Sequence, residues 1–398
     1  MKRHDILYET AKCRNRRIFR EMQKNLGSKN QITKRQYAAE GGIPAITGPG
    51  EIIVRSRNQG FDAIDQRGKS WFGSCCDDAD NDVRYDAFYD ARFDSRFGAR
   101  RRDRGNLWAT PGYARTTRSR HDDKLGFENL GFELKTTGVA FGYDRSFGGR
   151  SFAGIAAMFD RPQYSSGKTG IKADDMSLAL YGGIKPAGVE LTGRVGYGYA
   201  RFDQRRGVED ERYASKYDGH SLFVGLGASR LISLCHPSFC LRPGVHYDFL
   251  GLTTAGFHER GGNFYGAGSQ NGGGNGGTYA LRVEDHTRNL HRLKLGLDAQ
   301  WQPSWRFIAT SELYYLGLFG DRSARTTASF VNDPANNGGG NPANAFAVTG
   351  YALEQNNVGL GLHLRLPFDR CELGAGYTAL LARRTAAQNV ALNAVWRF

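Results

Sequence analysis

The sequence predicts an all-β fold: a twelve-stranded antiparallel transmembrane β-barrel with an N-terminal extension that partly fills its lumen. Apolar and polar residues alternate with period two along runs that begin after residue 106. The connections between these runs alternate between short and long, and the last run ends on an apolar face tipped by aromatic residues. Strands with one apolar and one polar face satisfy all their backbone groups in a closed barrel, with lipid outside and water inside.

The last ten residues, 389–398, show this alternation most clearly. Every second residue is apolar, and this face comprises Val390, Leu392, Ala394, Trp396 and Phe398. An ordinary sheet edge is the alternative for this strand alone, but a bare apolar edge invites aggregation in a soluble protein. In a barrel the same face meets lipid, and a terminal Phe is typical of strands that the barrel-assembly machinery recognises. We therefore expect this strand to close the barrel and to carry its assembly signal.

Composition narrows the class of protein further. The 398 residues include 54 Lys and Arg against 40 Asp and Glu, a formal charge of +14. Mean hydropathy is −0.53, and no apolar run approaches the roughly 18 residues that a membrane helix requires, which excludes a helical membrane protein. The positive charge is compatible with nucleic acid. However, the arginines beyond residue 107 are interleaved with acids, so no nucleic-acid partner is expected.

Twelve alternating runs begin near residues 107, 132, 150, 174, 189, 217, 240, 288, 305, 352, 371 and 386. Short connections (148–150, 186–188, 235–239, 303–304, 367–370) alternate with longer polar ones (119–131, 164–172, 203–216, 255–287, 322–350). A meander of this kind predicts short periplasmic turns at one rim of the barrel and long external loops at the other. A soluble β-sandwich would not sort its connections in this way.

Residues 1–106 form the predicted N-terminal extension. Arg17–Leu26 has the apolar spacing of a short amphipathic helix, whereas residues 43–82, with Gly48-Pro49-Gly50, are interpreted as linker. Residues 83–97 repeat every four positions and favour an extended structure, because a helix would stack their aspartates. Met1 to Gly42 shows no apolar region of an export signal.

The polar faces of the predicted strands carry charges of both signs. We place on the inner wall Asp144, Glu190, Arg194, Arg242, Asp248, Arg292, Lys294, Asp298 and Arg365, together with the solvated histidines His246, His291 and His363. A twelve-stranded barrel is wider than the eight-stranded ones that side chains alone fill. We therefore predict that part of residues 1–106 occupies the lumen as a mixed-charge peptide, in a conformation that the sequence leaves open.

The six cysteines contain no C-x-x-C pair and no zinc spacing, so no metal site is expected. Cys235 and Cys240 flank a predicted periplasmic turn, in an oxidising compartment and close enough for a cross-hairpin bridge. The sequence predicts a disulfide between them, with two buried free thiols as the alternative.

Residues 107–398 resemble the autotransporter β-domain. The resemblance rests on six short motifs in order: Leu107-Trp108-Ala109, Gly142-Tyr143-Asp144-Arg145, Leu180-Tyr181-Gly182-Gly183, Gly196-Tyr197-Gly198, Tyr217-Asp218-Gly219 and Trp396-Arg397-Phe398. It implies a barrel in the bacterial outer membrane that carries a passenger polypeptide to the cell surface, with a helix across the lumen after export. The implied partners are outer-membrane lipid, the barrel-assembly machinery and the passenger.

The chain departs from this family in its N-terminal part, which shows neither a signal peptide nor a β-helical passenger repeat. We expect either a C-terminal piece of a larger product or a different start. Residues 1–106 are then a linker, a remnant of the passenger junction or a pore segment, and residues 107–398 are the barrel domain.

No enzymatic motif accompanies this fold. Gly167-Lys168-Thr169 and Gly68-Lys69-Ser70 resemble the end of a phosphate-binding loop but lack its first glycine, and no G-x-S-x-G or H-E-x-x-H sequence occurs. We expect no enzyme activity and no cofactor. The predicted function is a translocator barrel that exports and anchors a passenger; the alternative is a stand-alone outer-membrane channel or surface adhesin that acts through its long external loops.

Overall fold

The computed structural model describes residues 29–72, 105–122, 128–147, 150–208, 211–234, 238–261, 279–304, 307–331, 345–368 and 370–398. One long helix, α1 (Lys29–Trp71), precedes the strands. The barrel strands are β1 (Gly105–Arg118), β2 (Phe132–Phe147), β3 (Ser151–Ser166), β4 (Thr169–Ile184), β5 (Val189–Val208), β6 (Glu211–Arg230), β7 (Phe239–Thr254), β8 (His286–Ser304), β9 (Phe307–Gly320), β10 (Asn356–Pro367), β11 (Cys371–Ala382) and β12 (Thr385–Arg397).

These twelve strands, within the described ranges, form a closed antiparallel barrel in chain order. The first strand pairs with the last, from Asn106 opposite Arg397 to Arg118 opposite Thr385. Closure leaves no unpaired sheet edge, which is the condition for crossing lipid with strands. The predicted strand number and meander are therefore confirmed, and β1 begins at Gly105, two residues before the predicted start of the barrel domain.

The two rims differ as the sequence predicts. At one rim, here called the turn rim, the chain leaves β12 beside the start of β1: Gly105 N donates to Phe398 O at 3.2 Å, and Phe398 N donates to Gly105 O at 3.1 Å. The opposite rim, here called the loop rim, carries the long connections after β7 and β9.

Two of the predicted external loops are strands instead. Within residues 164–172, only Gly167 and Lys168 lie between the strands β3 and β4. Within residues 203–216, β5 continues to Val208 and β6 begins at Glu211. The inner-facing residues keep their alternation through these stretches, as the buried Tyr164 and Phe202 show. Polar residues on the outer face therefore mark where the strands leave the apolar band; they do not mark where the strands end.

The long connections at the loop rim build a second, smaller sheet. Its four short strands are Phe257–His258, Leu281–Val283, Arg325–Phe330 and Phe346–Thr349. Buried Arg206 of β5 anchors it, with Nε 2.8 Å and Nη2 2.5 Å from the Glu259 carboxylate, which also accepts a bond from Leu281 N at 3.0 Å. This cap sheet shares a hydrophobic core with the loop-rim end of the barrel and with α1.

The outer face of the barrel is apolar and exposed. In β12 and the following residue, Leu392, Trp396 and Phe398 are 58%, 56% and 61% exposed, whereas the intervening Val395 is 2% exposed and points inward. Val390 and Ala394 lie on the same exposed face, so the alternation predicted for the last ten residues is present. None of the helices in the described ranges has the length and apolar composition needed to span a membrane.

The helix α1 corrects one expectation. Residues 43–71 belong to the stretch interpreted as linker because of Pro44 and Gly48-Pro49-Gly50, yet they continue a helix that ends at Trp71. Isolated helix propensity is weak here, since Pro49 removes an internal hydrogen bond. Tertiary packing supplies most of the stability of a protein helix, and this one is enclosed by the barrel. Of the alternative pore segments, Arg17–Leu26 and residues 83–106, residues 17–26 and 83–104 lie outside the described residues, and β1 begins at Gly105.

The turn between β6 and β7 contains the predicted disulfide. Cys240 is disulfide-bonded and buried, whereas Cys235 lies outside the described residues. Pairing between the two remains a prediction. Mass mapping without reduction should recover one linked peptide pair containing Cys235 and Cys240. Cys371, which is a free thiol, is the internal control and should be alkylated in the same sample. Alkylation of both Cys235 and Cys240 in protein from native membranes would contradict the bridge.

Deleting Phe398 tests the role of the terminal residue. The deletion removes the hydrogen-bond pair with Gly105 and the ring that stacks on Tyr143 at 6.1 Å, so we expect failed membrane insertion. Membrane fractionation and heat-modifiable electrophoretic mobility measure the outcome. Phe319→Ala is the control, since it removes another exposed phenylalanine ring far from the closing strand and should insert normally. Normal insertion of the deletion variant would refute an assembly role for Phe398.

Candidate functional site

The candidate site is the lumen, which α1 fills from rim to rim. At the loop-rim end, Gly48 of α1 lies so close to the wall that a Cβ there would be 2.4 Å from Ile171 Cδ1 of β4. At the turn-rim end, the Trp71 ring stacks on Phe152 at 5.6 Å between centroids, and Lys185 Nζ donates to Phe72 O at 3.4 Å. The helix therefore crosses the barrel with its N-terminal end toward the loop rim and its C-terminal end at the turn rim.

Near the middle of the helix, Arg57 forms a complete set of contacts with the wall. Its Nη2 donates to Asp175 Oδ1 at 2.7 Å, and its Nη1 and Nε donate to the hydroxyls of Ser177 and Ser221 at 3.0 Å each. The guanidinium passes over Gly198 of β5, where a Cβ would lie 2.0 Å from Arg57 Nη2. This glycine gives the guanidinium its space, because any side chain at that position would displace it.

Closer to the turn rim, Arg67 binds Asp144 through two bonds. Nε donates to Oδ2 at 2.6 Å and Nη2 to Oδ1 at 2.9 Å, the paired geometry that makes guanidinium–carboxylate contacts strong. The carboxylate also accepts from Asn106 Nδ2 at 2.9 Å and from Tyr181 Oη at 2.7 Å, and Tyr181 in turn accepts from Trp108 Nε1 at 2.7 Å. Asp144 is fully buried, so these donors replace the water that a carboxylate otherwise needs.

In another contact the charges are reversed: the wall supplies the arginine, and the helix supplies the carboxylate. Arg194 Nη1 donates to Asp65 of α1 at 2.5 Å, and Arg194 Nη2 donates to Asp248 of β7 at 2.5 Å. The Arg194 guanidinium also lies 4.3 Å from the centroid of the Phe61 ring, and Arg292 lies over the same ring at 5.0 Å. A cation over an aromatic face is electrostatically favourable, so Phe61 contributes both apolar and polar packing.

A third cluster joins the helix to β8 and β9. Lys69 Nζ lies 2.8 Å from Asp298 Oδ2 and 3.4 Å from Glu312 Oε1, and Lys294 Nζ lies 2.8 Å from the same Glu312 oxygen. Two lysines and two carboxylates are thus balanced in charge within a buried space. Breaking one partner of a buried pair leaves an uncompensated charge and costs about 3–5 kcal/mol.

The structure places every predicted lumen-facing charge on the inner wall. Glu190 and Arg242 pair at 3.2 Å, and Arg365 lies 3.9 Å from Glu372, while the others belong to the clusters above. Of the histidines, His363 faces inward and contacts Gln66 at 3.2 Å. The expectation for His291 is wrong, because this side chain lies on the outer face of the barrel. Its Nδ1 is hydrogen-bonded to the exposed Tyr247 hydroxyl at 2.7 Å, whereas the next residue, Arg292, points inward and is buried.

The helix side of these pairs was missed from the sequence. Arg57, Asp65, Arg67 and Lys69 lie in the segment interpreted as linker. The available signal was their co-occurrence with an apolar series, since Ile52, Ile53, Val54, Phe61 and Ile64 are buried with them. A segment that carries both charged and large apolar residues is suited to a lumen whose wall also carries charged and apolar side chains. Among the described residues, no group of three His, Cys, Asp or Glu side chains is arranged to hold a metal ion.

The conductance of single barrels tests the fit of the helix. A barrel of residues 105–398 should conduct several-fold more current than the full chain, because α1 no longer blocks the lumen. The full-length double variant Arg57→Ala, Arg67→Ala keeps the helix but leaves Asp175 and Asp144 unpaired, so it should open more often than the wild type. Arg55→Ala is the control, because the ion pair of Arg55 among the described residues lies within α1, with Glu51 at 3.6 Å. Equal conductance for all four proteins would show that α1 does not block the pore.

Comparison with known proteins identifies this architecture. The family model of the autotransporter β-domain matches residues 107–378. The translocator domain of the autotransporter NalP from Neisseria meningitidis is similar in structure, with TM-score 0.55, 14% identity, and coverage of 74% of this chain and 88% of that one. The β-domain of the Bordetella autotransporter BrkA gives TM-score 0.50 and 16% identity, covering 74% of this chain and 100% of that one.

The search of curated proteins gave no significant match. Because these two solved structures are only 14% and 16% identical to this chain, their similarity shows the fold alone. The match of the family model extends over more than half of the sequence. This chain belongs to the autotransporter β-domain family, and it forms an outer-membrane barrel of the translocator type.

Proposed function

We propose that this barrel exports a passenger segment through its lumen and afterwards anchors that segment at the cell surface. The observation that carries the proposal is the direction of α1, which enters the lumen from the loop rim and leaves it at the turn rim beside Phe152 and Lys185. Since β1 also begins at the turn rim, the part of the chain before β1 that the structure describes runs from the loop rim to the turn rim through the lumen. A segment N-terminal to α1 is thereby delivered to the side of the long connections.

The wall chemistry supports the same function. Buried charges of both signs line the lumen, and no single sign dominates the clusters around Asp144, Arg194 and Glu312. Such a wall provides temporary partners for the side chains of a passing polypeptide of mixed composition. In this scheme residues 105–398 are the translocator, and the residues before α1 belong to the passenger junction. The barrel-assembly machinery is the partner that inserts the barrel.

The alternatives make different use of the same parts. A stand-alone channel requires a water-filled lumen, whereas buried residues of α1 occupy the lumen of this barrel along its length. An adhesin acting through its loops is favoured by one observation, the folded cap sheet anchored by Arg206 and Glu259. Anchoring and adhesion are compatible, because the cap sheet and the helix α1 in the lumen are present together in the same barrel.

An epitope tag placed before Lys29 tests the export proposal. We expect antibody to label this tag on intact cells, because the N-terminal side of α1 lies at the loop rim. A second protein carries the tag in the turn Pro186–Gly188 at the turn rim and should be labelled only after the outer membrane is permeabilised. Labelling of the N-terminal tag only in permeabilised cells, with a folded barrel, would contradict passage through the lumen.

A further inference from the structure

One side of the barrel carries charged residues on its outer face, directly above the apolar band. On β1 to β6, the outward positions near the loop rim include eight basic residues, here called the basic belt: Arg115, Lys135, Arg161, Lys172, Arg201, Arg205, Arg212 and Lys216. All point away from the lumen, and the side chains of Arg161 and Arg205 are 82% and 83% exposed.

The strand register places these residues in neighbouring rows. Arg115 is opposite Lys135, and Lys172 belongs to the same row through Gln163. The row one step nearer the membrane contains Arg161, Asp174 and Arg201. Arg205 and Arg212 lie one and two rows farther from the membrane than Lys172, opposite Ala214 and Gly207. Successive outward residues along a strand are about 7 Å apart, and the belt is four rows deep.

Immediately below the belt, the outward residues become aromatic and apolar. Phe159, Met176 and Tyr199 occupy the adjacent row, and Phe141 stacks on Phe159 at 5.9 Å between centroids. Aromatic residues of membrane proteins concentrate at the boundary between hydrocarbon and headgroups. The belt therefore lies at the level of the lipid headgroups, close to the membrane surface.

The acids of this surface leave the belt strongly positive. Four outward acidic residues, Glu133, Asp174, Asp203 and Asp218, accompany the eight basic ones. Glu133 is shared by Arg115 and Lys135, at 2.7 and 3.3 Å, and Asp203 is shared by Arg205 and Lys216, at 3.8 and 3.9 Å. Exposed pairs of this kind contribute little stability, so their cations remain available to other anions.

Two belt residues have no acidic partner among the residues that the structure describes. Neither Lys172 nor Arg212 forms an ion pair with a residue in the described part of the chain, and both side chains are accessible on the outer face. The half of the barrel formed by β7 to β12 differs, because the outward residues of its strands near the loop rim are uncharged. These include Thr253, Thr287, Asn289, Asn356 and Gln388. Exposed charges there, such as Asp285, Asp321 and Arg383, lie in the connections. The belt is therefore a feature of one half of the barrel and is not a general property of the loop rim.

We propose that the basic belt binds the phosphate groups of lipopolysaccharide, the phosphorylated glycolipid of the outer leaflet. Guanidinium groups bind phosphate oxygens in paired geometry, and basic residues at the membrane surface attract anionic lipid. The acyl chains of the same molecule would pack on the aromatic and apolar row below. This inference requires the loop rim to face outward, but it does not require passenger export, so the two proposals can fail separately.

The test measures binding of purified lipopolysaccharide to the full chain in detergent by native mass spectrometry. Phosphorylated lipopolysaccharide should bind at least tenfold more tightly than the same lipid after enzymatic removal of its phosphates. A variant with Arg161, Lys172, Arg201 and Arg205 each changed to Gln should lose at least tenfold in affinity. The matched control changes Arg145, Arg150, Arg230 and Arg370 to Gln; these are four exposed arginines near the turn rim, far from the belt, and the control should retain wild-type binding.

Several outcomes would overturn the proposal. Equal losses in the two variants would show an effect of net charge only, and wild-type binding that does not depend on phosphate would show packing of acyl chains only. Phosphatidylglycerol that binds as tightly as lipopolysaccharide would overturn the assignment to the outer leaflet. Heat-modifiable mobility checks that the variants fold, and the phosphate dependence of the wild type decides the question even if a variant does not.

Discussion

The structure depends on one constraint: each backbone N–H and C=O group in the hydrocarbon layer must find a partner within the protein. The pairing of β1 with β12 meets this requirement, since it converts twelve strands into a closed ring. Closure fixes the rest of the molecule. It sorts the side chains into an outer and an inner set, and it encloses a lumen too wide for wall side chains alone to fill.

The enclosed lumen makes the barrel wall and α1 dependent on each other. Wall acids such as Asp144 and Asp175 are buried, and helix arginines supply the positive charge that they require. Wall Arg194 has the inverse relation to helix Asp65. A buried charge without its partner is costly, so each set would be unfavourable without the other. A polypeptide segment that comes to rest in this lumen is therefore held by the same charges that line the path of export.

The sequence predicted the barrel because period-two alternation is a local property. It predicted inner-wall charges for the same reason, and Asp144, Asp248 and Lys294 are buried. The helix was missed because its stability is not local. Gly48, Pro49 and Gly50 indicate a linker by propensity, whereas the wall side chains that enclose them, including Ile171 and Arg288, are more than a hundred residues away in the chain. No local pattern reveals which wall residue a helix charge will meet.

The two predicted loops that are strands instead show how a segment with period-two alternation contributes side chains to both the lumen and the outer face. Beyond the apolar band, β3 and β4 continue with Tyr164 and Ile171 facing α1 and with Arg161 and Lys172 facing outward. The same holds for β5, where buried Phe202 stacks on Tyr217 at 5.1 Å and outward Arg201 belongs to the basic belt. Ending these strands at the membrane surface would remove both the inner support of the helix and cap sheet and the outer charged surface. The length of these strands is therefore determined by contacts on their two faces, in addition to the thickness of the membrane.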